Sequence, residues 1–355
     1  QLLSKPVGHL LTHEFAPGAL IGGYRDADCF EIPGKSFNRR FRQGNYIEPR
    51  AGRFYPKGFI AGVHGIFAEE MTPFRVAQTG EKLRVELNHP LARQQMTLTA
   101  AILDIWEAGE EHGGACRDIA EMTTSGGPGM QARWRGQPTD FWSDIPFTRF
   151  DMDADEHFYA KSRFVDHMDL AATRQIEALY GRLVPQGGEV LDLMASWKSH
   201  LPSSLELQAV AGLGMNQQEL DANPLLSERL VQDLNLQPRL AYADNRFDAV
   251  VCSVSVEYLV KPLEVFAEIN RVLKPGGRFI VTFSNRWFPP KVVRIWEGVH
   301  EFERMGLVLE YFHRAGGFTN LETWSLSGLP RPADDKYAGQ RAHSDPVYAV
   351  WGDKV

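Results

Sequence analysis

The stretch Glu189–Val190–Leu191–Asp192–Leu193–Met194–Ala195–Ser196–Trp197 constrains this chain more than any other. A short apolar run that ends in a carboxylate and then small side chains reads as a buried parallel strand breaking into a loop at its carboxyl end. In open α/β sheets that is where ligands bind. The flanking chain supplies the partners such a strand needs. A helix over about 169–184 precedes it, with Ala171, Ile176, Leu179, Tyr180 and Leu183 on one face and Asp169 as N-cap. Further strands are predicted at Gln208–Leu213, Leu230–Val231, Phe247–Val254 and Arg278–Phe283. Helices are predicted at Gln217–Ala222 and Pro262–Leu273, the second stopped by Lys274–Pro275–Gly276–Gly277. A helix near Pro290–Arg304 and two β-prone runs, Leu321–Leu326 and Pro346–Trp351, close the chain. Alternating strands and helices predict a doubly wound, mostly parallel α/β sheet, with a final hairpin as an antiparallel edge.

At 355 residues the chain exceeds one ordinary core, so two domains are expected. Hydrophobic residues at 43% and charged residues at 23% suit a soluble globular protein. A net charge of -7, with no basic stripe interleaved with aromatics, argues against a nucleic-acid partner. No apolar run is long enough to cross a bilayer, and the recorded start lacks the apolar core of a signal peptide. Cys29, Cys116 and Cys252 fit no metal-ligand spacing and leave an odd thiol, which points to a reducing, cytoplasmic setting with no metal.

Residues 1–108 differ in character. Gly and Pro recur between short β-prone runs at Cys29–Ile32, Phe59–Val63, Lys82–Leu87 and Met96–Ile105, as in half-buried antiparallel strands. The connector Val85–Glu86–Leu87–Asn88–His89–Pro90–Leu91–Ala92 resembles the C-terminal half of SlyD-type FKBP prolyl isomerases, and Arg53–Phe59 is compatible with the strand after that family's flap. The resemblance implies an FKBP-like domain and, at most, isomerase activity. The residues themselves favour a lid, a homodimerisation surface or a substrate wall. Residues 109–165 form a connector with loop signals at Glu110–Gly114 and Ser125–Gly129. It is rich in Trp134, Phe141, Trp142, Phe147 and Phe150, too aromatic for a flexible linker. An active-site cover or plain inter-domain packing would both account for it. At its end Tyr159, Arg163 and His167 recur every four residues, and on a helix they would share one face.

Over 166–355, Phe247–Asp248–Ala249–Val250 followed by Arg271–Val272–Leu273–Lys274–Pro275–Gly276–Gly277 is similar to class I S-adenosylmethionine (SAM) methyltransferases of the type 11 kind. The resemblance implies a Rossmann-like, seven-stranded sheet that binds SAM and releases S-adenosylhomocysteine. The chain departs from the pattern in two places. Asp192 is followed by no glycine, and the carboxylate usual after the second strand is replaced by Gly214. Both departures match a branch with Leu-Asp-Leu-Met-x-Ser-Trp and Gly-Met-Asn at these places. That branch implies a cofactor loop of Met194, Ala195 and Ser196, then Gly214 and Met215, with Asn216 on the ribose. Asp233 and Leu234 would meet the adenine edge, Ser253, Val254 and Ser255 would line the fourth strand's end, and Tyr159, Arg163 and His167 would cover the methionyl carboxylate.

Methyl transfer from a sulfonium is an in-line displacement that rests on positioning and a dry site. His167, His200 and Glu257 are candidate bases, with His313 beside them. The stretch after the fifth strand, with Arg286, Trp287 and Phe288, forms the acceptor side, joined by Trp197 and Trp296. An aromatic, base-poor pocket suits a small thiol or sulfide acceptor first, and an oxygen or nitrogen acceptor on a small metabolite stays open. Two other readings compete: a prolyl isomerase or chaperone module fused to an inactive Rossmann-like domain, and a non-catalytic SAM sensor.

Overall fold

The computed structural model of the chain describes residues 5–40, 46–105 and 118–355. They divide into two units, Gln1–Asp140 and Phe141–Val355. The boundary falls inside the 109–165 stretch; Phe141, Trp142 and Phe147 pack in the core of the C-terminal unit, whereas Phe150 is exposed. The loop expected at Glu110–Gly114, and Cys116, lie outside the described residues.

In the N-terminal unit the strands are β1 (Leu10–Phe15), β2 (Cys29–Pro33), β3 (Phe54–Pro56), β4 (Pro73–Gln78), β5 (Lys82–Glu86) and β6 (Met96–Ala101), followed by the short helix α1 (Ile119–Thr124). β1 pairs antiparallel with β6, and the other four form an antiparallel sheet in the order β2-β5-β4-β3. β1 and β4 add to the strands expected from sequence, while β3 falls inside Arg53–Phe59, the stretch read as compatible with a strand. The run expected as a strand at Phe59–Val63 is not one. A 3-10 turn, Lys57–Phe59, leads to a single bridge between Ile60 and Phe37, and Gly62 then turns left-handed at φ +75°. Phe37, Tyr55, Phe59 and Phe74 pack ring against ring at 5.1–6.4 Å and are all buried. This aromatic cluster is a closed core.

The C-terminal unit runs α2 (Asp155–Tyr159), α3 (Leu170–Leu183), β7 (Glu189–Leu193), β8 (Ala209–Gly214), α4 (Gln217–Ala222), β9 (Glu228–Val231), β10 (Phe247–Ser253) and α5 (Pro262–Val272). It continues with β11 (Leu273–Phe283), α6 (Arg294–Glu297), α7 (Glu301–Ala315), β12 (Phe318–Leu326) and β13 (Val347–Lys354). Seven strands make one sheet in the order β12-β13-β11-β10-β7-β8-β9. β7 to β11 are parallel, and β13 is antiparallel to both of its neighbours. β7 is central because it is apolar on both faces: Leu191 and Leu193 join one core layer, and Val190 joins the other with Ile176, Leu179 and Tyr180 of α3. Asp169 caps α3, accepting from the Ala172 amide at 2.9 Å.

Two expectations are corrected here. Lys274–Pro275–Gly276–Gly277 is not a turn before the fifth strand but a bulge within β11: pairing with β10 jumps from Phe247↔Leu273 to Ala249↔Arg278. The helix expected at Pro290–Arg304 is two helices. The long one starts at Glu301, where His300 and Glu303 form a reciprocal capping box. Pro290 lies in the turn before α6 and starts neither helix.

Candidate cofactor cleft

Chain order reverses between β7 and β10, and the two adjacent connections leave the sheet in opposite directions there. A cleft opens at this switch point, outside the carboxyl ends of β7, β8, β9 and β10. The strand ends place Asp192, Met194, Ala195, Ser196, Gly214, Met215, Asn216, Asp233, Leu234, Ser253, Val254 and Ser255 on its wall. Tyr159, Arg163 and His167 join them, together with His200 and Phe288. Every residue expected on the cofactor side therefore lines one cleft.

The missing glycines of the first loop have a local explanation. Met194 itself takes the left-handed conformation, φ +59°, that a glycine would supply, at a cost of about 1–2 kcal/mol. Room for the loop comes from the neighbouring strand instead. The Ala195 amide donates to the Leu213 carbonyl at 2.7 Å, and a Cβ on Gly214 would overlap the Ala195 carbonyl. Val254 and His200 are also left-handed, at φ +42° and +53°, so non-glycine strain gathers around the cleft.

Asp192 is buried, and burial pushes its carboxyl up to about 7 against a hydrogen bond with Ser199 that lowers it. Its Oδ2 has no hydrogen-bond partner among the described residues. A buried orphan acceptor is costly unless something else donates to it. Burial likewise lowers His167, and lowers His200 to about 4, so both imidazoles are neutral at pH 7. The Nδ1 of His200 is unpartnered among the described residues.

Asn216 lines the cleft, but both ends of its amide are engaged within the chain. Its Oδ1 accepts from the Glu219 amide (3.1 Å) and lies 3.1 Å from Ser162 Oγ, while Nδ2 donates to the Tyr159 and Ala160 carbonyls at 2.9 and 3.2 Å. Tyr159, Arg163 and His167 do not share a helical face. α2 ends at Tyr159, and the next two are presented by irregular chain. Arg163 donates to the Phe158 carbonyl at 2.8 Å and stacks its guanidinium 4.4 Å from the Phe158 ring. His167 meets the edge of Phe288 at 5.2 Å.

Of the residues expected on an acceptor side, the cleft takes one. Phe288 lines the cleft, held by its amide donating to Tyr258 Oη at 2.8 Å. Trp197, Arg286 and Trp287 are not on that wall. Trp197 donates from Nε1 to the Val165 carbonyl, Arg286 pairs with Asp345 at 3.1 Å, and Trp287 lies under Arg304 at 4.5 Å. Glu257 is fully buried and off the cleft wall, its carboxylate without a side-chain partner among the described residues, and burial raises it to about 8. His313 is exposed on α7, and Trp296 is a fully buried core residue.

Sequence reasoning missed Asp155, Glu219, Asn235 and Tyr258. Glu219 accepts from Ser196 Oγ (2.6 Å) and the Arg163 amide (2.7 Å), tying the loop after β7 to the segment after α2. Asp155 pairs with Arg149 at 2.8 Å and with the fully buried Lys291 at 3.3 Å, and it accepts from Asn235 at 2.8 Å. Asn235 had a usable signal, since it follows the end of a parallel strand. Glu219 had another, the third residue after an N-cap.

The sheet order, the antiparallel final strand and the switch-point cleft are those of the class I methyltransferase fold, Rossmann-like with a mixed and mostly parallel sheet. Residues 205–281 match the family described as a methyltransferase domain, a class whose methyl donor is SAM. The demethylmenaquinone methyltransferase of Renibacterium salmoninarum is 44% identical over 52 residues, 14% of this chain and 22% of that one. Methyltransferase GfsG of Streptomyces halstedii is 29% identical over 130 residues, 33% of this chain and 45% of that one. The chain thus spans less than half the length of the curated relatives it matches. A solved SAM-dependent methyltransferase of Thermotoga maritima superposes with a TM-score of 0.39 at 14% identity, covering 52% of this chain and 90% of that one. No described helix is long and apolar enough to cross a membrane.

Proposed function

We propose that the C-terminal unit transfers the methyl group of SAM to a small thiol or sulfide. One observation carries the cofactor reading: the buried, unpartnered oxygen of Asp192 at the head of a cleft whose floor is kept small by Ala195, Ser196 and Gly214. A ligand bearing cationic or hydroxyl donors satisfies that oxygen, and SAM bears both. When bound, SAM supplies an electrophilic methyl on a sulfonium that leaves as a thioether.

The chain's own residues do the rest. Asp192 and the Met194–Ser196 backbone hold the polar end, with Asp233 and Leu234 at the base and Ser253–Ser255 along the wall. Arg163 and Tyr159 close over the carboxylate. Asn216 acts here by holding the Tyr159–Ala160 backbone in place, its amide being engaged. Phe288 and the apolar edge of the cleft keep water from the reacting centre. His167, neutral and on the cleft wall, accepts the proton that a thiol releases, while His200, lowered to about 4, is too weak a base for it; a sulfide needs no base. The kinship of the N-terminal unit with SlyD-type FKBP domains belongs to the same proposal, resting on the Val85–Ala92 connector and the antiparallel sheet that β5 joins.

Calorimetric titration of the full chain with SAM and with S-adenosylhomocysteine tests the reading. Micromolar binding that falls sharply in Asp192→Ala supports it, as does a methyl thioether formed from 2-mercaptoethanol. No binding by cofactor-free protein overturns it.

A further inference from the structure

The N-terminal unit holds a pocket of its own, built around a flaw in its sheet. β4 and β5 pair Val76 with Val85, then slip so that Gln78 faces Arg84, leaving Ala77 as a bulge. Bulges bend a strand and re-aim the side chains beside it. The pocket opens at this bulge, between Gln78 and Arg84 on one side and the turn Trp134–Arg135–Gly136–Gln137 on the other. That turn is closed by the Gln137 amide donating to the Trp134 carbonyl at 2.9 Å, with Arg135 at φ +49° and Gly136 at φ +75°. A non-glycine residue held left-handed persists only where its surroundings enforce it, and such strain gathers at functional positions.

The charges are one-sided. Among the described residues no acid lines this pocket, although the whole chain carries a net charge of -7. Arg84 donates from Nε to Cys29 Sγ at 3.4 Å, and Arg135 donates from Nη2 to the Tyr24 hydroxyl at 3.3 Å. Neither arginine has an ion-pair partner among the described residues. Glu31, which acts on Arg84, and Glu86, which interacts with Arg135, are each paired elsewhere: Glu31 with Lys82 at 3.4 Å and Glu86 with Arg75 at 3.9 Å. Trp134 adds a flat apolar wall, with the Arg135 guanidinium 4.9 Å from its ring.

We propose that this pocket binds an oxyanion, a carboxylate or a phosphate, carried on a ligand with a flat apolar face. Arg84 and Arg135 hold the anion by charge-assisted hydrogen bonds, and the apolar face lies against Trp134. The site is independent of the methyl-transfer cleft and stands whether or not that reading does.

Calorimetry of the full chain at constant ionic strength, with inorganic phosphate and with benzoate as probes, decides the matter. Saturable one-to-one binding of at least one probe is expected, weakened about tenfold or more in Arg84→Gln/Arg135→Gln and unchanged in Lys35→Gln, an exposed lysine off the pocket wall. Tighter benzoate binding would assign the site to planar carboxylates, and binding of phosphate alone to phosphorylated ligands. Circular dichroism melting checks that the double variant is folded. Absence of saturable binding for both probes, or equal binding by the wild type and the folded double variant, overturns the proposal.

Discussion

Gly214 at the end of β8 and Ala195 in the loop after β7 are in such close approach that any side chain at 214 would overlap the Ala195 carbonyl. The loop and the strand are fastened there by the 2.7 Å bond from the Ala195 amide to Leu213. Gly214→Ala is expected to cost about 2–3 kcal/mol through overpacking, lowering the melting temperature by roughly 5–10 °C. It should weaken SAM binding at the same time, because the loop that moves carries the cleft floor. Differential scanning calorimetry and a SAM titration of one sample read both effects.

Asp192 gives the cleft a pH dependence. Its carboxyl, raised to about 7 by burial, is mostly protonated at pH 6 and mostly ionised at pH 8. A cationic ligand prefers the ionised form, so SAM affinity is expected to rise about tenfold between those values. Asp192→Asn should flatten that profile while lowering affinity throughout. Calorimetry at three pH values in buffers of matched ionic strength is the check.

Glu257 predicts a stability effect of the opposite kind. Its folded-state pKa, about 8, lies above the ordinary carboxyl value. The stabilisation it contributes is therefore complete below the unfolded value and is lost as pH rises towards 8. Glu257→Gln removes the titration. Urea unfolding should find the variant and wild type similar near pH 4 and the variant increasingly the more stable up to pH 8.5. A constant difference across that range would contradict the assignment.

A buried ionic cluster pins the segment between β12 and β13. Arg331 reaches Asp169 at 3.1 Å and Asp345 at 2.9 Å, all three side chains nearly solvent-free, and Ser344 Oγ donates to Asp169 at 2.7 Å. Arg331→Ala leaves the buried Asp169 without its cation and Asp345 with Arg286 alone, and is expected to cost about 3–5 kcal/mol. Trypsin should then cut faster after Lys336 and Arg341, as followed by mass spectrometry.

Much of the C-terminal unit was legible because its elements repeat on local periods. β7, β8, α4, β10 and α5 follow from apolar runs and from i, i+3, i+4 spacing, and all lie within a residue or two of their expected bounds. α7 was misplaced because its start is written in a capping box at His300 and Glu303, a weaker mark than the Pro290 upstream. β4 was hidden by a proline and an arginine that the eye reads as loop; Arg75 is buried by resting on Phe54 at 4.2 Å. The residues that line the cleft at the strand ends could be read from sequence, since a strand's carboxyl end is a place that sequence can mark. The acceptor side could not. Whether Arg286 faces the cleft or Asp345 is decided by residues 59 positions apart.

Asn216 caps α4 with one end of its amide and holds the Tyr159–Ala160 backbone with the other. Helix start and cleft rim thus share one side chain and cannot be altered separately. Anyone grafting this cleft onto another scaffold, or trimming the chain to its sheet, must carry the stretch from Asp155 to Arg163 along as an integral part, although it precedes the first strand of the sheet by more than twenty residues.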